Sequence, residues 1–424
     1  MSSQEWKTIP LRYVCELNPS VPFDEFDDDD DLTFLPMDRV KCGYFIPNSE
    51  KFSKYGSSYT AFEDGDIVLA KVTPCFENGN IAVAEHLVGG KGFGSSELFV
   101  IRPTVAERRF LFYFFQSSIF KQAGEASMTG AGGLKRVSPD VLRQHRLPFP
   151  SQDVQHLIAN YLDRETARID GLIAAKERML ALLEEKRAAL VNRVVTRGLD
   201  PDAPLKPSGQ EGLGEIPTHW GLQRLKQLAE VRGGLTLGKQ YSGELLEYPY
   251  LRVANVQDGY LDLEDVLTVE VPAPEAASNL LANGDVLMNE GGDIDKLGRG
   301  CVWRDEIVPC LHQNHVFAVR PHSVDSDWLA LWTSTLEAKR YFESRAKRST
   351  NLASISGSNI KELPVPLPPM EERLAIRQFL ADRRDRLEKV RSELRHSLRL
   401  LTERRAALIT AAVTGQIPLE AMTR

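Results

Sequence analysis

The chain has 424 residues, 42% of them apolar and 26% charged, an ordinary globular composition that allows two or three domains with separate cores. No stretch approaches the roughly 18 apolar residues of a membrane span, we expect no secretory signal at the amino terminus, and five scattered cysteines are typical of a reducing cytoplasm. The formal net charge of −7 disfavours nucleic-acid binding by bulk electrostatics, although it is compatible with a local basic surface.

The first half of the chain predicts a mixed region of strands and helices that leads into one long helix. Strands are predicted at 66–70 and 98–101, and an amphipathic helix at 107–121. Pro148 and Pro150 end this region, because proline interrupts regular structure but suits the first turn of a new helix. Mostly apolar side chains then recur every seven residues, which indicates a coiled coil. The seam positions of this helix are Leu162, Ile169, Lys176, Leu183 and Leu190.

The second half repeats the first at an offset of 218 residues. Phe-Val-Ile-Arg-Pro at 99–103 returns as Phe-Ala-Val-Arg-Pro at 317–321, and Leu-Pro-Phe-Pro at 147–150 returns as Val-Pro-Leu-Pro at 365–368. The register holds without a gap from residue 99 to residue 196. A repeat of this length predicts two similar modules on one chain, with pseudo-two-fold symmetry.

Residues 200–220, rich in proline and glycine, predict an ordered connector between the modules. The second module then predicts strands at 285–288 and 315–319, a helix from Asp325, and a second coiled-coil helix. The seam of that helix consists of Leu380, Leu387, Leu394, Leu401 and Leu408. A helix of about 45 residues is roughly 65–70 Å long, and two matching helices on one chain favour pairing with each other.

A glycine-rich segment at 233–239 matches the Gly and Lys spacing of a phosphate-binding P-loop. However, Gln240 stands where a Ser or Thr hydroxyl would hold magnesium. This segment supports an alternative function, a P-loop nucleotide-binding enzyme with a coiled-coil arm. A glycine-rich turn near a DNA surface is the interpretation that we favour.

Other groups of residues that could form a catalytic or metal site do not have the residue spacing that such sites need. The acidic run at 24–31 lacks the alternating ligands of a calcium loop, and Cys301, Cys310, His312 and His315 lack the paired clips of a zinc site. No catalytic elbow, paired-carboxylate site or methyltransferase tetrapeptide occurs. We therefore expect a non-catalytic chain that binds no metal.

Polar loops punctuated by glycine are the remaining candidates for function, since their amides, hydroxyls and cations can read base edges and hold phosphates. The candidate DNA-binding residues are Lys71, Thr73, Asn78, Asn80, Ser95, Ser96, Lys135, Arg136, Asn289, Arg299, Asn314 and Asn351.

Taken together, these features resemble the specificity subunit of a type I restriction–modification enzyme. The resemblance covers essentially the whole chain. It depends on Thr-Pro-Cys-Phe-Glu-Asn-Gly at 73–79, Gly-Phe-Gly-Ser at 92–95, Gly-Glu-Ile-Pro-Thr-His-Trp at 214–220, the Leu-Pro-x-Pro type entry to each helix and the duplicated helix ends. The second helix departs mildly, with Thr402 and Arg404 in place of Glu184 and Lys186.

The resemblance implies a fold of mixed α and β structure. Two target-recognition domains, at 1–148 and 221–364, would be joined by two long antiparallel coiled-coil helices, at 149–199 and 365–424, with a linker at 200–220. Each domain would read one half of a bipartite, asymmetric site in double-stranded DNA, and the helices would set the spacing and dock the partner subunits.

The implied partners are two modification subunits and two restriction subunits of a cytoplasmic complex that methylates adenine at N6 and defends against phage. S-adenosylmethionine would bind to the modification subunits, and ATP and magnesium to the restriction subunits, so this chain would bind no cofactor. A structural coiled-coil scaffold without DNA is a further alternative, but it leaves the two duplicated modules unexplained.

Overall fold

A computed structural model describes residues 6–24, 26–54, 59–131, 133–210, 212–292, 294, 297–348 and 352–423. The chain divides into two compact units. Unit 1 consists of Met1–Arg178 with Leu394–Arg424, and unit 2 consists of Met179–Glu393. No helix in the described ranges is long and apolar enough to cross a membrane.

The first half of the chain contains twelve named strands and four α-helices within the described residues. The strands are β1 (Thr8–Pro10), β2 (Cys15–Leu17), β3 (Asp31–Leu35), β4 (Ser49–Lys51), β5 (Thr60–Glu63), β6 (Ile67–Ala70), β7 (Ile81–Val83), β8 (Lys91–Gly94), β9 (Leu98–Pro103), β10 (Thr129–Ala131), β11 (Leu134–Arg136) and β12 (Arg146–Pro148). The helices are α1 (Arg108–Gln116), α2 (Ser118–Ala126), α3 (Pro139–Gln144) and α4 (Gln152–Arg197).

The second half follows the same plan after a short hairpin in the connector. Its strands are β13 (Leu205–Pro207), β14 (Glu215–Pro217), β15 (Gly221–Arg224), β16 (Ala229–Arg232), β17 (Leu246–Leu251), β18 (Leu267–Val271), β19 (Val286–Asn289), β20 (Gly291–Gly292), β21 (Gly300–Val302), β22 (Leu311–His312), β23 (Val316–Pro321), β24 (Lys347–Arg348), β25 (Ala353–Ser354) and β26 (Pro364–Leu367). Its helices are α5 (Ala273–Asn279), α6 (Ser326–Thr333), α7 (Leu336–Arg345), α8 (Gly357–Lys361), α9 (Met370–Val413) and α10 (Leu419–Met422).

The central sheet of each unit has the same strand order. Unit 1 has an antiparallel sheet β2-β9-β6-β7, and unit 2 has its repeat, β16-β23-β19-β21. A second sheet in each unit contains one parallel pair, β3 with β8 in unit 1 and β17 with β22 in unit 2. The predicted fold class, mixed helix and sheet in two repeated domains, is confirmed.

The amphipathic segment predicted as one helix at 107–121 is in fact two helices. The break falls at Ser117, whose extended backbone and hydroxyl, which accepts a hydrogen bond from the Phe120 amide, start α2 as an N-cap. The helix predicted from Asp325 is divided in the same way at Thr335, which caps α7. Hydrophobic periodicity cannot predict an N-cap inside an apolar pattern, because the hydrophobic face continues across it.

The two long helices pair antiparallel within each unit. In unit 1, Arg405 of α9 forms an ion pair with Asp170 of α4 at 2.8 Å, and Leu162, nearer the start of α4, shares a core with Ile409. In unit 2, Arg391 lies 3.3 Å from Glu184, while Val195 and Ile376 share the other core.

The predicted seam positions differ in burial. Leu162, Ile169, Leu380 and Leu394 are buried, whereas Leu183, Leu190, Leu387, Leu401 and Leu408 are half-buried.

In each unit a tryptophan packs against the glycine that follows a long helix. Trp6 in unit 1 packs on Gly415, just after α9, so that a Cβ at Gly415 would lie 3.2 Å from its ring. Trp220 in unit 2 packs in the same way on Gly198, just after α4, and its indole N–H donates to Glu372 at 3.0 Å. The last described residues of the connector, Leu213, Ile216 and Trp220, belong to the core of unit 2.

Candidate nucleic-acid interface

Three segments that are distant in sequence meet beside the central sheet of unit 1. Val72, just after β6, forms a bridge with Arg136 of β11. The Lys71 amide donates to the carbonyl of Glu97, just before β9, and the Val137 amide donates to the carbonyl of Lys71 at 2.8 Å. We call this meeting point, residues 71–73, 95–97 and 134–137, the unit 1 junction.

The charges of the unit 1 junction are held in fixed positions. The Arg136 guanidinium donates to both oxygens of Glu97 at 2.6 to 3.1 Å, in the fork geometry that orients an arginine. These hydrogen bonds hold the pKa of Glu97 below its usual range, and the Lys71 ammonium acts in the same direction. Lys71 itself extends over the ring of Phe99, with its Nζ 5.5 Å from the ring centroid.

Thr73 ties the hairpin β10–β11 to this junction. Its hydroxyl donates to the carbonyl of Gly133 at 3.0 Å and accepts from the amide of Lys135 at 2.9 Å. Thr73 therefore positions the hairpin, because both functions of its hydroxyl are used within the protein.

Unit 2 builds the same junction with different side chains. Gly291 pairs with Ser354, the Glu290 amide donates to the carbonyl of His315, and the Ile355 amide donates to the carbonyl of Glu290. At the positions that hold Lys71 and Glu97 in unit 1, unit 2 has Glu290 and His315, whose side chains lie 2.7 Å apart. We call residues 290–292, 315 and 352–355 the unit 2 junction.

The structure distributes the other predicted site residues unevenly. Ser95 lies in the unit 1 junction, where its hydroxyl accepts from the Glu97 amide at 3.2 Å. The remaining candidates of the first module are Asn78 and Ser96, both exposed on adjacent loops, the half-buried Asn80, and Lys135, exposed on β11.

The predicted role of Asn289 as a DNA contact conflicts with its burial. Its side chain is fully buried at the end of β19 and donates to the carbonyl of Val256 at 2.9 Å, so we withdraw it as a surface contact. Arg299 is half-buried and donates to the side chain of Gln257 at 2.6 Å. Asn314 is half-buried, and its amide donates to the carbonyl of Leu235. Asn351 lies outside the described residues.

A turn that carries a tyrosine is also repeated, but the offset of 218 does not reveal it because its two copies are 216 residues apart. Val-Lys-Cys-Gly-Tyr at 40–44 returns as Val-Gln-Asp-Gly-Tyr at 256–260. In both copies the glycine has a positive φ and its amide donates to a carbonyl of the edge strand, β7 or β21. Tyr44 and Tyr260 are 59% and 61% exposed.

The segment at 233–239 has no P-loop geometry. No helix follows Lys239 in the fully described range 212–292 until α5, and the Lys239 ammonium lies 3.3 Å from Glu275. Gly234 is required for a different reason, since a Cβ there would lie 2.2 Å from the carbonyl oxygen of His312.

The two cysteines considered for zinc lie in a hydrophobic core cluster of unit 2. Cys301 and Cys310 are buried, and burial raises the pKa of each to about 12, which keeps them protonated. Within the described ranges, no group of three or more His, Cys, Asp or Glu residues is placed to hold a metal ion.

The family model of the type I restriction modification DNA specificity domain matches twice, at residues 3–178 and 217–394. The chain belongs to this family. Each match falls largely within one compact unit, so the two units are two specificity domains, and the predicted family resemblance is confirmed.

Individual relatives agree with the family match. The EcoAI specificity subunit of Escherichia coli is 25% identical, with 87% of this chain and 75% of that subunit covered. The EcoKI specificity subunit of Escherichia coli K12 is 24% identical, with 82% and 70% covered. The EcoEI specificity subunit is 34% identical over a shorter region, 35% of this chain and 26% of that subunit.

Solved structures show the same fold. A chain from a type I restriction–modification system, solved for its complex assembly and conformational transition, superposes with a TM-score of 0.72 at 18% identity and covers 98% of this chain and 99% of its own. The HsdS subunit of Thermoanaerobacter tengcongensis gives a TM-score of 0.50 at 19% identity, with 98% of both chains covered.

Proposed function

We propose that this chain is the non-catalytic DNA-reading subunit of a cytoplasmic type I restriction–modification complex, in which each specificity domain reads one half of a bipartite, asymmetric site. The observation that carries this proposal is the repeated junction. The two junctions share their backbone pairing, yet equivalent positions hold Lys71 and Glu97 in one unit and Glu290 and His315 in the other. A shared frame with different polar groups suits two readers of different base sequences, because base edges differ in donor and acceptor pattern.

The proposal leaves the chemistry to partner subunits. Modification subunits would dock on the long helices and bring S-adenosylmethionine for adenine N6 methylation. Restriction subunits would bring ATP, magnesium and DNA cleavage. This chain would supply sequence recognition alone.

The test is to map methylated adenines in a host that carries the whole system. Lys71→Ala should relax the sequence requirement in one half-site only, and a base-reading side chain should cost about 1–3 kcal/mol at its own position. Arg143→Ala is the control, since this exposed arginine of α3 lies outside the junction and pairs locally with Asp140 among the described residues. Loss of sequence preference in both half-sites from a unit 1 variant would contradict independent reading.

A further inference from the structure

The hairpin β10–β11 of unit 1 is exposed on both faces. All six residues of its two strands, Thr129–Ala131 and Leu134–Arg136, are exposed, although an isolated two-stranded ribbon is only marginally stable in water. Thr73 and the bridge from Val72 to Arg136 hold its base on the unit 1 junction.

Unit 2 carries a hairpin at the same place in its fold. The strands β24 and β25 follow the helix pair α6–α7 and precede the short helix α8, as β10 and β11 follow α1–α2 and precede α3. The two hairpins correspond residue by residue at the offset of 218. The position of Leu134, which is 46% exposed, is held by Leu352, which is 61% exposed.

One cation and one hydroxyl face each other across each hairpin, but they have exchanged strands. Arg136 of β11 pairs with Thr129 in unit 1, while Lys347 of β24 pairs with Ser354 in unit 2. Since alternate residues of a strand share a face, Leu134 lies on the same face of its hairpin as the Thr129–Arg136 pair, and Leu352 stands two residues before Ser354. The arrangement of groups is thus kept although the residues that supply it differ.

We infer that this face, one exposed leucine beside a cation–hydroxyl pair, is a β-ribbon that enters a groove of the DNA in each specificity domain. A major groove admits a two-stranded ribbon, an apolar side chain can contact a thymine methyl group or wedge between bases, and the cation meets the phosphates beside the groove. In the ribbon of each domain an exposed leucine, a cation and a hydroxyl recur together. This inference rests on the proposed function.

The experiment uses the full chain assembled with its modification subunits and a duplex that contains the mapped site. Leu134→Ala should weaken binding to that duplex about tenfold, as expected when a buried leucine side chain is cut back. Leu134→Met, which keeps an apolar side chain of similar size, should restore most of the affinity. Val105→Ala, at a 51% exposed apolar residue outside the ribbon, is the matched control and should bind as the unaltered chain does. Thermal unfolding should be unchanged in all three variants.

A second arm tests the cation. Arg136→Ala should lower the dependence of log affinity on log salt by about one, whereas Arg143→Ala should leave it unchanged. Leu352→Ala should act on the other half-site.

Three results would overturn the inference. Unchanged affinity of Leu134→Ala for the mapped duplex would show that the ribbon stays outside the groove. Loss of subunit assembly at intact DNA affinity would assign the leucine to a protein partner. Affinity reduced equally by Val105→Ala would remove the special role of the ribbon. If the unaltered complex methylates no defined site, the proposed function itself fails, and that failure is visible before any variant is made.

Discussion

Asparagine in place of Asp285 should destabilise unit 2 by about 3 kcal/mol. The Asp285 carboxylate is fully buried and accepts three hydrogen bonds, two from the Arg320 guanidinium at 2.7 Å and one from the Ala282 amide at 2.9 Å. Breaking one partner of a buried ion pair costs about 3–5 kcal/mol. The lower end applies because the Arg320 side chain is 36% exposed and can recover water.

The repeat supplies an internal comparison. Asp66 in unit 1 is equally buried and makes the same fork with Arg102 at 2.8 Å, but Arg102 also lies 2.9 Å from Glu63. In Asp66→Asn, Arg102 still has the Glu63 carboxylate as a partner. We therefore expect a smaller decrease in the free energy of unfolding, about 2 kcal/mol.

Tryptophan fluorescence during denaturant unfolding measures the effect in unit 2, which holds four of the five tryptophans. Hydrogen exchange of the β6 and β9 amides reports on unit 1. Glu230→Gln is the control, because Glu230 is 67% exposed and lies 3.9 Å from Arg232, a surface pair that should contribute below about 1 kcal/mol. The reasoning is refuted if Asp285→Asn destabilises unit 2 no more than Glu230→Gln does.

Two further predictions concern the close contact between Gly234 and His312 in unit 2. Burial lowers the pKa of His312 from its ordinary 6.5. The unfolded chain therefore binds more protons than the folded chain as pH falls below 6.5, and folding stability is lost there. The denaturant concentration at the midpoint of the fluorescence transition should fall between pH 7.5 and pH 5.5, and it should fall less steeply in His312→Gln. Gly234→Ala should destabilise unit 2 by about 1–3 kcal/mol through overpacking. Neither the unaltered chain nor this variant should bind ATP measurably. Tight ATP binding by the unaltered chain would contradict this account.

The sequence by itself determined the features that depend on periodicity and repetition. A seven-residue apolar repeat predicted both long helices, observed as Gln152–Arg197 and Met370–Val413, because a helix that buries one stripe must repeat that stripe along its length. The offset of 218 predicted two similar modules, and the central strands at 66–70 and 98–101 followed from short apolar runs between turns.

Tertiary structure alone decided which polar residues come together. The unit 1 junction joins Val72 to Arg136, 64 residues along the chain, and the hairpin β10–β11 has no alternating apolar pattern from which its strands could be predicted. Asn289 and Thr73 look alike as polar residues that follow a strand. Asn289 is buried and donates to the carbonyl of Val256, whereas Thr73 hydrogen-bonds to the hairpin β10–β11. The difference arises because burial and hydrogen bonding are set by segments that pack against a strand from elsewhere in the chain.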